Sequence, residues 1–292
     1  MSIESVDSVP TLPKRESESH KGTYGSVLVL AGGRGMAGAA ALTGAGALRS
    51  GAGLVRIACP TEVQPTVATF EPSYMVYPLT DDGHGRLDFP SCRETLEGLI
   101  DQADVLAVGP GLGQSDGLRA LVRWVLEAVK LPTILDADAL NNLGGQVELL
   151  DLIKRPLVVT PHPGEFARLT GQSIAEVQAD RQGQAVALAQ RADHLIVVLK
   201  GAGTIVTDGR RVFTNPTGNP GMATGGAGDV LSGVIAALIG QGLPAFEAAQ
   251  LGVYAHGLAG DIARDQNGEV GLIAGDIVDA LADAFEHLGA GS

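Results

Sequence analysis

The sequence predicts an α/β protein in which a central, mostly parallel β-sheet is flanked by helices on both faces and carries a small β-hairpin. Short β-branched runs alternate with helical patterns along the chain, which indicates parallel strands joined by right-handed crossovers. Hydrophobic residues make up 45% of the 292 residues and aromatic residues only 4%, so Ala, Val, Leu and Ile must build the core, as in a covered parallel sheet. Each candidate strand ends in a loop rich in Gly, Pro, Asp or His, and most lead into a helical stretch.

Six parallel strands and one hairpin are expected in chain order. The strand candidates are SVLVLA (26–31), LVRIA (54–58), VLAVG (105–109), TILD (133–136), LVVT (157–160) and LIVVLK (195–200). In TIVTDGRRVFT (204–214), two short strands around Asp208-Gly209 predict the hairpin. Residues 230–241 carry apolar side chains at helical spacing and are followed by the stop signals Gly242 and Pro244. We expect the C-terminal part of the chain to be mostly helical.

The chain is expected to form one domain after a short lead. Residues 1–22 are rich in Ser, Glu and Pro and predict a flexible lead. Residues 23–292 contain no Pro/Ser-rich linker and no internal repeat, which favours a single domain with a substantial core.

Charge and cysteine content exclude several classes of function. The formal net charge of −13 disfavours nucleic acid and anionic membranes as partners, so an anionic ligand must be held locally by backbone amides or a few basic residues. Two cysteines, Cys59 and Cys92, cannot form a disulfide framework, and no Cys/His cluster has zinc-ligand spacing. The polar start lacks the apolar core of a signal peptide, and no apolar run reaches the ~18 residues of a membrane span. We expect a cytoplasmic protein.

The stretch GNPGMATGGAGDVLSG (218–233) carries the strongest functional signal, with six glycines and a single carboxylate, Asp229. Gly225, Gly226 and Gly228 are predicted to take positive φ and turn their N–H groups inward. Together with Ala227 they would form an anion-binding nest at the positive end of a helix that starts near Asp229. No GxxxxGK[ST] match occurs.

An ionised Asp in a site that only binds an anion would repel its ligand, so the presence of Asp229 has to be explained. Phosphoryl transfer explains it. The nest would stabilise the moving phosphoryl group, while Asp229 as the catalytic base accepts the hydrogen bond of the attacking hydroxyl. The alternative is that Asp229 merely caps a helix after a glycine turn.

Two loops at strand ends add a base and a histidine. LKGAGT (199–204) lets backbone approach a ligand, with Lys200 as a positive point charge; the alternative is a tight turn with a solvated Lys200. In TPHPGEFARL (160–169), prolines stiffen the loop around His162, and Glu165 opens the next helix. His162 would contact a ligand or shuttle a proton, or it is a loop histidine without a partner.

A third loop, DADALN (136–141), places Asp136 at a strand end and Asp138 near a helix start. These carboxylates could bind Mg²⁺ through water, although an acid at the position of Asp138 is more often simply a helix N-cap. No metal-ligand set can be assigned from spacing.

Two other motifs match well-known patterns less completely. Gly33-x-Gly35-x-x-Gly38 follows a strand and precedes a helix, as in a dinucleotide-binding fingerprint. That fingerprint also requires an acid at the end of the next strand, where this chain has Cys59, with Glu62 a few residues late. GQSDG (113–117) matches GxSxG, but it lies too far past the strand for a nucleophile elbow, so Ser115 is predicted to be a helix cap.

Several of these stretches together resemble the ribokinase-like superfamily and, within it, the ADP/ATP-dependent NAD(P)H-hydrate dehydratases. The matching stretches, from residue 20 onward, are HKGTYGSVLVLAGG, GAAALTGAGALRSGAGLV, GPGLG, DADALN, TPHPGE, KGAGT, GNPGMATGGAGDVLSG and GVYAHGLAGD. The combination is specific, whereas a single glycine loop would not be.

The resemblance implies an enzyme that repairs hydrated NADH and NADPH by phosphorylating the added ring hydroxyl and eliminating phosphate. The implied co-substrate is ADP, or ATP, with Mg²⁺. The family's substrate-binding residues correspond to Ala39, Gly111, His162 and Asp229. Its nucleotide-binding residues correspond to Lys200, Gly201, Ala202, Gly203, Thr204 and Gly228. The chain departs from the pattern at Ala227, where relatives often carry Thr; activity is expected to survive because the nest uses main-chain N–H groups.

The resemblance also implies a homotetramer. Relatives are often fused to an N-terminal epimerase domain, for which the short lead leaves no room, so NAD(P)H-hydrate epimerisation is expected from a separate protein. Three alternatives stay open at this point. They are a vitamin-precursor or sugar kinase of the same superfamily, a NAD-binding oxidoreductase that uses the Gly33–Gly38 loop, and a nucleotide-binding sensor without catalysis.

Overall fold

A computed structural model describes residues 3–289, in which ten strands form a single sheet. The strands are β1 (Glu4–Ser5), β2 (Ser26–Leu30), β3 (Leu54–Pro60), β4 (Met75–Leu79), β5 (Val105–Val108), β6 (Thr133–Leu135), β7 (Leu157–Val159), β8 (Leu195–Leu199), β9 (Ile205–Thr207) and β10 (Arg211–Thr214). Their order across the sheet is β1-β10-β9-β8-β7-β6-β5-β2-β3-β4. Only the pairs β8–β9 and β9–β10 are antiparallel.

Eleven α-helices lie in the same described part of the chain. They are α1 (Ala37–Arg49), α2 (Gln64–Val67), α3 (Phe89–Ile100), α4 (Asp116–Ala128), α5 (Asp138–Asn142), α6 (Pro163–Thr170), α7 (Ile174–Ala179), α8 (Arg181–Ala189), α9 (Ala227–Gly240), α10 (Ala245–Asn267) and α11 (Ala274–His287). Short 3-10 helices occur at Lys21–Tyr24, Val147–Leu152 and Pro220–Met222. Within residues 3–289 no helix combines the length and apolar character needed to cross a bilayer.

Helices cover both faces of the sheet, which confirms the predicted fold class. Successive side chains of β2 alternate between two cores, with Val27 and Val29 in one and Leu28 and Leu30 in the other. The first core includes α1, α9, α10 and α11, and the second includes α3, α4, α6 and α8. Because β2 is buried on both faces, the four residues that follow Ser26 in it are all apolar.

All six predicted parallel strands occur, and the hairpin forms as β9 and β10. The sequence analysis missed β4, whose segment MVYPL contains Pro78 at a position where proline is tolerated because the strand lies at the edge of the sheet. It also missed β1, which lies in the predicted lead and pairs parallel with β10.

The lead contacts the rest of the chain at several points. Beyond β1, the carbonyl of Ser8 accepts a hydrogen bond from Nε2 of Gln250 at 2.6 Å, and the guanidinium of Arg15 lies 3.8 Å from the ring centroid of Tyr24. These contacts were not part of the prediction of a flexible lead. The division of the chain at residue 22 stays a prediction.

The chain order of the strands creates a crevice at one edge of the sheet. From β2 the chain proceeds outward through β3 and β4, then returns to β5 on the other side of β2 and proceeds toward β8. Ligands in open α/β sheets bind at such a switch point, outside the carboxyl ends of the strands. The loops that follow β2, β5, β6, β7 and β8 all lie at this edge.

Candidate active site

The glycine-rich stretch ends in α9, which begins at Ala227, two residues before the predicted start. Gly226 is the N-cap with φ of +94°, and no side chain caps the helix. The interpretation of Asp229 as a cap is therefore wrong. The prediction of positive φ holds at Gly226 but is wrong for Gly225 and Gly228, because the earlier helix start gives Gly228 a helical backbone.

Asp229 lies in the first turn of α9 among other charges. Burial raises the pKa of its carboxyl to about 7; Asp136 adds to this effect, Lys200 opposes it, and Glu165 and Asp138 add smaller contributions. A carboxylate with a pKa near the working pH is well suited to accept and release a proton.

Lys200 is held in the middle of the site rather than solvated at a strand end. Its Nζ lies 2.7 Å from Oδ1 of Asp136 and 3.9 Å from Oε2 of Glu165, and its side chain is 19% exposed. Burial lowers the pKa of Lys200, but the nearby carboxylates outweigh this effect and raise the pKa above its ordinary value. A Cβ added at Gly228 would lie 3.1 Å from Nζ, so the ammonium is next to the nest.

The LKGAGT loop is shaped by positive φ and by an arginine from another helix. Gly201 and Gly203 have φ of +138° and +61°, and Oγ1 of Thr204 donates to the carbonyl of Gly201 at 2.9 Å. Arg181, the first residue of α8, donates to the loop carbonyls of Leu199, Lys200 and Ala202. This role of Arg181 could not be predicted from local sequence patterns, because the contact joins separate parts of the chain.

His162 is not a loop histidine without a partner. It is the N-cap of α6, where its Nδ1 accepts from the N–H of Gly164 at 3.0 Å and the carboxylate of Glu165 accepts from the N–H of His162 at 2.8 Å. Because Nδ1 is an acceptor, the neutral ring carries its proton on Nε2. The side chain is 51% exposed.

Ala39 and Gly111 meet at the switch point. A Cβ at Gly111 would lie 3.0 Å from Cβ of Ala39, and a Cβ at Gly33 would lie 2.9 Å from the carbonyl oxygen of Gly111. Of the three glycines in the fingerprint-like loop, Gly33 thus permits the loops after β2 and β5 to pack on each other, whereas a Cβ at Gly35 or Gly38 would meet nothing within 4 Å. Glu62 forms a bidentate pair with Arg34, at 2.8 and 2.7 Å.

The DADALN loop contributes a buried acid that the sequence analysis did not include among the site residues. Asp136 is 1% exposed; in addition to Lys200, its Oδ2 accepts from Oγ of Ser232 at 2.8 Å. The interpretation of Asp138 as an N-cap is wrong, because α5 begins at Asp138 and its carboxylate accepts from the N–H of Gly113 at 2.8 Å. Between the two acids, Ala137 is the only non-glycine residue among residues 3–289 with positive φ, at +49°.

Two further residues, Ser115 and His256, contact the starts of helices. Ser115 is the N-cap of α4 and accepts from the N–H of Leu118 at 3.1 Å, as predicted. The buried ring of His256, which was missed, lies with Nε2 2.9 Å from the carbonyl oxygen of Ala227 at the start of α9. Burial lowers the pKa of His256 to about 4, so the ring is neutral. Its only sequence signal was the stretch GVYAHGLAGD.

The acids of the site allow a test of whether Mg²⁺ fits. No group of three or more potential metal-ligating side chains occurs in the part of the chain that the structure describes. Mg²⁺ in phosphoryl-transfer sites needs only one or two carboxylates, with phosphate oxygens and water completing the shell. Asp136 and Glu165 do not fit this role, because they are 1% and 5% exposed and both oxygens of Asp136 are already bound, Oδ1 by Lys200 and Oδ2 by Ser232.

Comparison with known proteins adds identity to this geometry. A family model described as NAD(P)H-hydrate dehydratase matches residues 27–283. The chain is 45% identical to the bifunctional NAD(P)H-hydrate repair enzyme Nnr of Moorella thermoacetica, over 95% of this chain and 52% of that protein. It is 36% identical to the ADP-dependent (S)-NAD(P)H-hydrate dehydratase of Bacillus subtilis, over 95% of each. The chain thus spans about half the length of the bifunctional relatives.

Solved structures of similar proteins support the same family and fold. The ADP/ATP-dependent NAD(P)H-hydrate dehydratase of Bacillus subtilis, co-crystallised with ATP and Mg²⁺, superposes with a TM-score of 0.81 at 34% identity, over 95% of each chain. A ribokinase-like superfamily protein of Enterococcus faecalis gives 0.80 at 29% identity, over 95% of this chain and 92% of that one. The fold is therefore ribokinase-like, as the sequence resemblance implied. With the match extending across the glycine loops, Asp229 and α9, this chain belongs to the NAD(P)H-hydrate dehydratase family.

Proposed function

We propose that this protein is an ADP-dependent (S)-NAD(P)H-hydrate dehydratase, which returns hydrated NADH and NADPH to the reduced dinucleotides. The observation that carries the proposal is the position of Asp229, a carboxylate with a raised pKa in the first turn of α9, next to the nest and to Lys200. The name of the Bacillus subtilis relative, which matches over nearly the full length of both chains, supports the same activity.

The chemistry proceeds in two steps. Asp229 accepts the proton of the ring hydroxyl while that oxygen attacks the β-phosphorus of ADP; the bond from phosphorus to the bridging oxygen breaks and AMP leaves. In the second step the bond between the ring carbon and the phosphate oxygen breaks, a proton leaves the adjacent ring carbon, and the ring double bond is restored. The net products are AMP, phosphate and the reduced dinucleotide.

The proposed substrate residues are Ala39, Gly111, His162 and Asp229. The first two line the close approach of the loops after β2 and β5, where their small size lets the two loops pack on each other. His162 turns Nδ1 toward its own helix, and its Nε2–H, which lies 3.5 Å from Oε1 of Glu165, is the proposed donor for a ligand. This division of roles explains why a half-exposed histidine is fixed by its own capping interactions.

The proposed nucleotide residues are Lys200, Gly201, Ala202, Gly203, Thr204 and Gly228. The positive φ of Gly201 and Gly203 brings the loop backbone to the surface, and Arg181 holds its carbonyls from behind. The nest, Gly225 to Gly228, offers N–H groups to the transferred phosphoryl group at the positive end of α9. Lys200 offsets the charge that the nucleotide brings into an acidic protein.

Asp136 and Glu165 are buried and already bound, so they do not offer Mg²⁺ an open pair of ligands. Mg²⁺ would be held mainly by nucleotide phosphate oxygens and water, and would neutralise charge on the phosphates. Lys200, which bridges these two acids at 2.7 and 3.9 Å, keeps the pair together and limits their mutual repulsion.

Assembly and context are also part of the proposal. We propose a homotetramer and a separate NAD(P)H-hydrate epimerase as a functional partner, which the bifunctional repair enzymes among the relatives support. A cytoplasmic location is consistent with Cys59 and Cys92, which are free thiols.

The test is the near-ultraviolet absorbance of hydrated NADH mixed with the purified protein, Mg²⁺, and either ADP or ATP. We expect the reduced-nicotinamide band to return, faster with ADP. Asp229→Asn should lower kcat by about 10²- to 10⁴-fold, the usual contribution of a general base, and should still bind ADP.

Two contrary outcomes of these assays would favour the alternative functions or exclude Asp229 as the base. If neither nucleotide restores the band while nucleotide still binds, the dehydratase proposal fails and a vitamin-precursor or sugar kinase takes its place. If Asp229→Asn restores the band as fast as the wild type, Asp229 is not the base. A nucleotide sensor would keep its output in that variant.

A further inference from the structure

Ser232 makes an uncommon contact for a serine inside a helix. A buried helical serine usually returns its hydroxyl to a carbonyl of the preceding turn. Here Oγ donates instead to Oδ2 of Asp136, 2.8 Å away and 96 residues earlier in the chain. Ser232 is 1% exposed and follows Asp229 by three residues on α9. The helix that carries the proposed base therefore also forms a hydrogen bond to the buried Asp136.

The backbone on either side of Asp136 is fixed as well. A Cβ added at Gly109 would lie 1.8 Å from the carbonyl oxygen of Asp136, so the two loops are in direct contact. Ala137 has φ of +49° and ψ of −115°, a conformation that costs about 1–3 kcal/mol for a residue other than glycine. Such strain persists only where the surrounding structure imposes it, and here it holds the acid at one position.

The hydrogen bond from Ser232 then decides where the second carboxylate oxygen points. Oδ1 is left to Nζ of Lys200 at 2.7 Å, and Lys200 in turn lies next to Gly228. The surroundings hold more acids than bases, so the ammonium has competing partners. The ionisable groups that act on this cluster are Glu165, His162, Asp229, Asp138 and Lys200.

We propose that Ser232 is a positioning residue: by anchoring Oδ2 of Asp136 it directs Oδ1 at Lys200 and keeps the Lys200 ammonium at the nest. This inference rests on the proposed function for its effect on turnover, but the contact itself exists without substrate. Ser232 touches neither substrate nor nucleotide in this scheme and acts through Asp136. Loss of the Ser232 hydroxyl should free the Lys200 ammonium from Asp136 without removing any residue that is proposed to contact substrate or nucleotide.

The experiment compares Ser232→Ala with Ser50→Ala. Both replace a buried helix-associated serine, but Oγ of Ser50 has no hydrogen-bond partner among the described residues. Acetylation of Lys200 by an N-hydroxysuccinimide ester is followed by mass spectrometry of the free protein, with the exposed Lys130 as the internal standard. We expect Lys200 to react several-fold faster in Ser232→Ala than in Ser50→Ala, because a side chain that is no longer held by Asp136 becomes accessible to the reagent.

Turnover supplies the second measurement. With hydrated NADH, ADP and Mg²⁺, we expect kcat of Ser232→Ala to fall about 10-fold with little change in KM for the hydrate, as one lost buried hydrogen bond to a charged group implies. A rate of Lys200 acetylation that stays the same or falls overturns the proposal. If the wild-type enzyme is active and Ser232→Ala has the same kcat, the proposal is also overturned. If the wild type itself does not dehydrate the substrate, the proposed function fails, and the acetylation rate still decides the role of Ser232.

Discussion

Nζ of Lys200 and Oδ1 of Asp136 lie 2.7 Å apart, although the two residues follow β8 and β6, which are separated by β7. The pair therefore crosses the loop of a third strand at the carboxyl edge of the sheet. Asp136 is almost fully buried, and buried ion pairs are costly to break from one side, because the remaining charge has no equal partner.

Asp136→Asn should lower the free energy of unfolding by about 3 kcal/mol, since it leaves the Lys200 ammonium with the more distant Glu165. Guanidinium unfolding measures this difference. The control is Asp151→Asn, which breaks the surface pair between Asp151 and Arg191 and should cost less than about 1 kcal/mol. Equal losses in the two variants would contradict a buried pair at Asp136.

Asp229 should make stability depend on pH. Its pKa is raised from an ordinary 3.8 to about 7 in the folded state, so the contribution of Asp229 to stability is fully present below pH 4 and is lost as the pH rises through 7. Asp229→Asn removes this loss. At pH 8 we expect the variant to be more stable by about 2 kcal/mol, a figure reduced because solvent partly screens the side chain. Urea unfolding at pH 8 and pH 4 checks this expectation; an equal gain at both pH values would contradict it.

The same pKa should appear in the kinetics. A base must be ionised to act, so kcat/KM should rise with pH and level off above about 7. Lys200 lowers the pKa of Asp229, so in Lys200→Met the rising limb should move to higher pH. Lys130→Met, on the surface, should leave the profile in place. A limb that stays fixed in Lys200→Met would mean that another group titrates.

Gly228 and Gly225 should differ in their tolerance of a methyl group. A Cβ at Gly228 would press on Nζ of Lys200 at 3.1 Å, whereas a Cβ at Gly225 meets nothing within 4 Å. Because a flexible lysine end can move aside, Gly228→Ala should fold normally but weaken ADP binding by about 10-fold, as loss of a charge-assisted hydrogen bond does. Gly225→Ala should bind ADP nearly as well as the wild type. Calorimetric titration with ADP and Mg²⁺ distinguishes them.

The strain at Ala137 predicts an unusual gain from glycine. Ala137→Gly should raise the free energy of unfolding by about 1 kcal/mol, because glycine adopts φ of +49° without a steric penalty. Two residues later, inside α5, the buried Ala139 is the matched control. Ala139→Gly should lower stability by about 1 kcal/mol or more. Effects of the same sign in both variants would contradict strain at Ala137.

The features that the sequence predicted are local ones. Apolar runs indicated six strands, and a glycine-rich turn before an apolar helix indicated a nest with Asp229 beside it, because each signal lies within a few consecutive residues. The predicted positive φ failed at Gly228 because the helix start shifted by two residues, a distance that propensities do not resolve. It also failed at Gly225, which lies before the helix.

The contacts that organise the site could not be predicted, because they join distant parts of the chain. Asp136 meets Lys200 across 64 residues and Ser232 across 96. No local pattern distinguishes Ser232 from any other serine in an apolar helix. The strand β4 was missed because Pro78 is a strand-breaking signal unless the strand is known to lie at the outside of the sheet.

The two-residue strand β1 covers β10 at one edge of the sheet, and this affects how the protein can interact with other copies of itself. Hydrogen bonds from the N–H of Glu4 to the carbonyl of Arg210 and from that of Val6 to Val212, both 2.9 Å, occupy the outer side of β10. At the opposite border, Pro78 in β4 lacks an N–H to offer. Unsatisfied borders of sheets recruit strands from other molecules and so seed aggregates. The N-terminal segment is therefore a guard against intermolecular strand pairing, and its removal would bare the β9–β10 hairpin to a neighbouring copy.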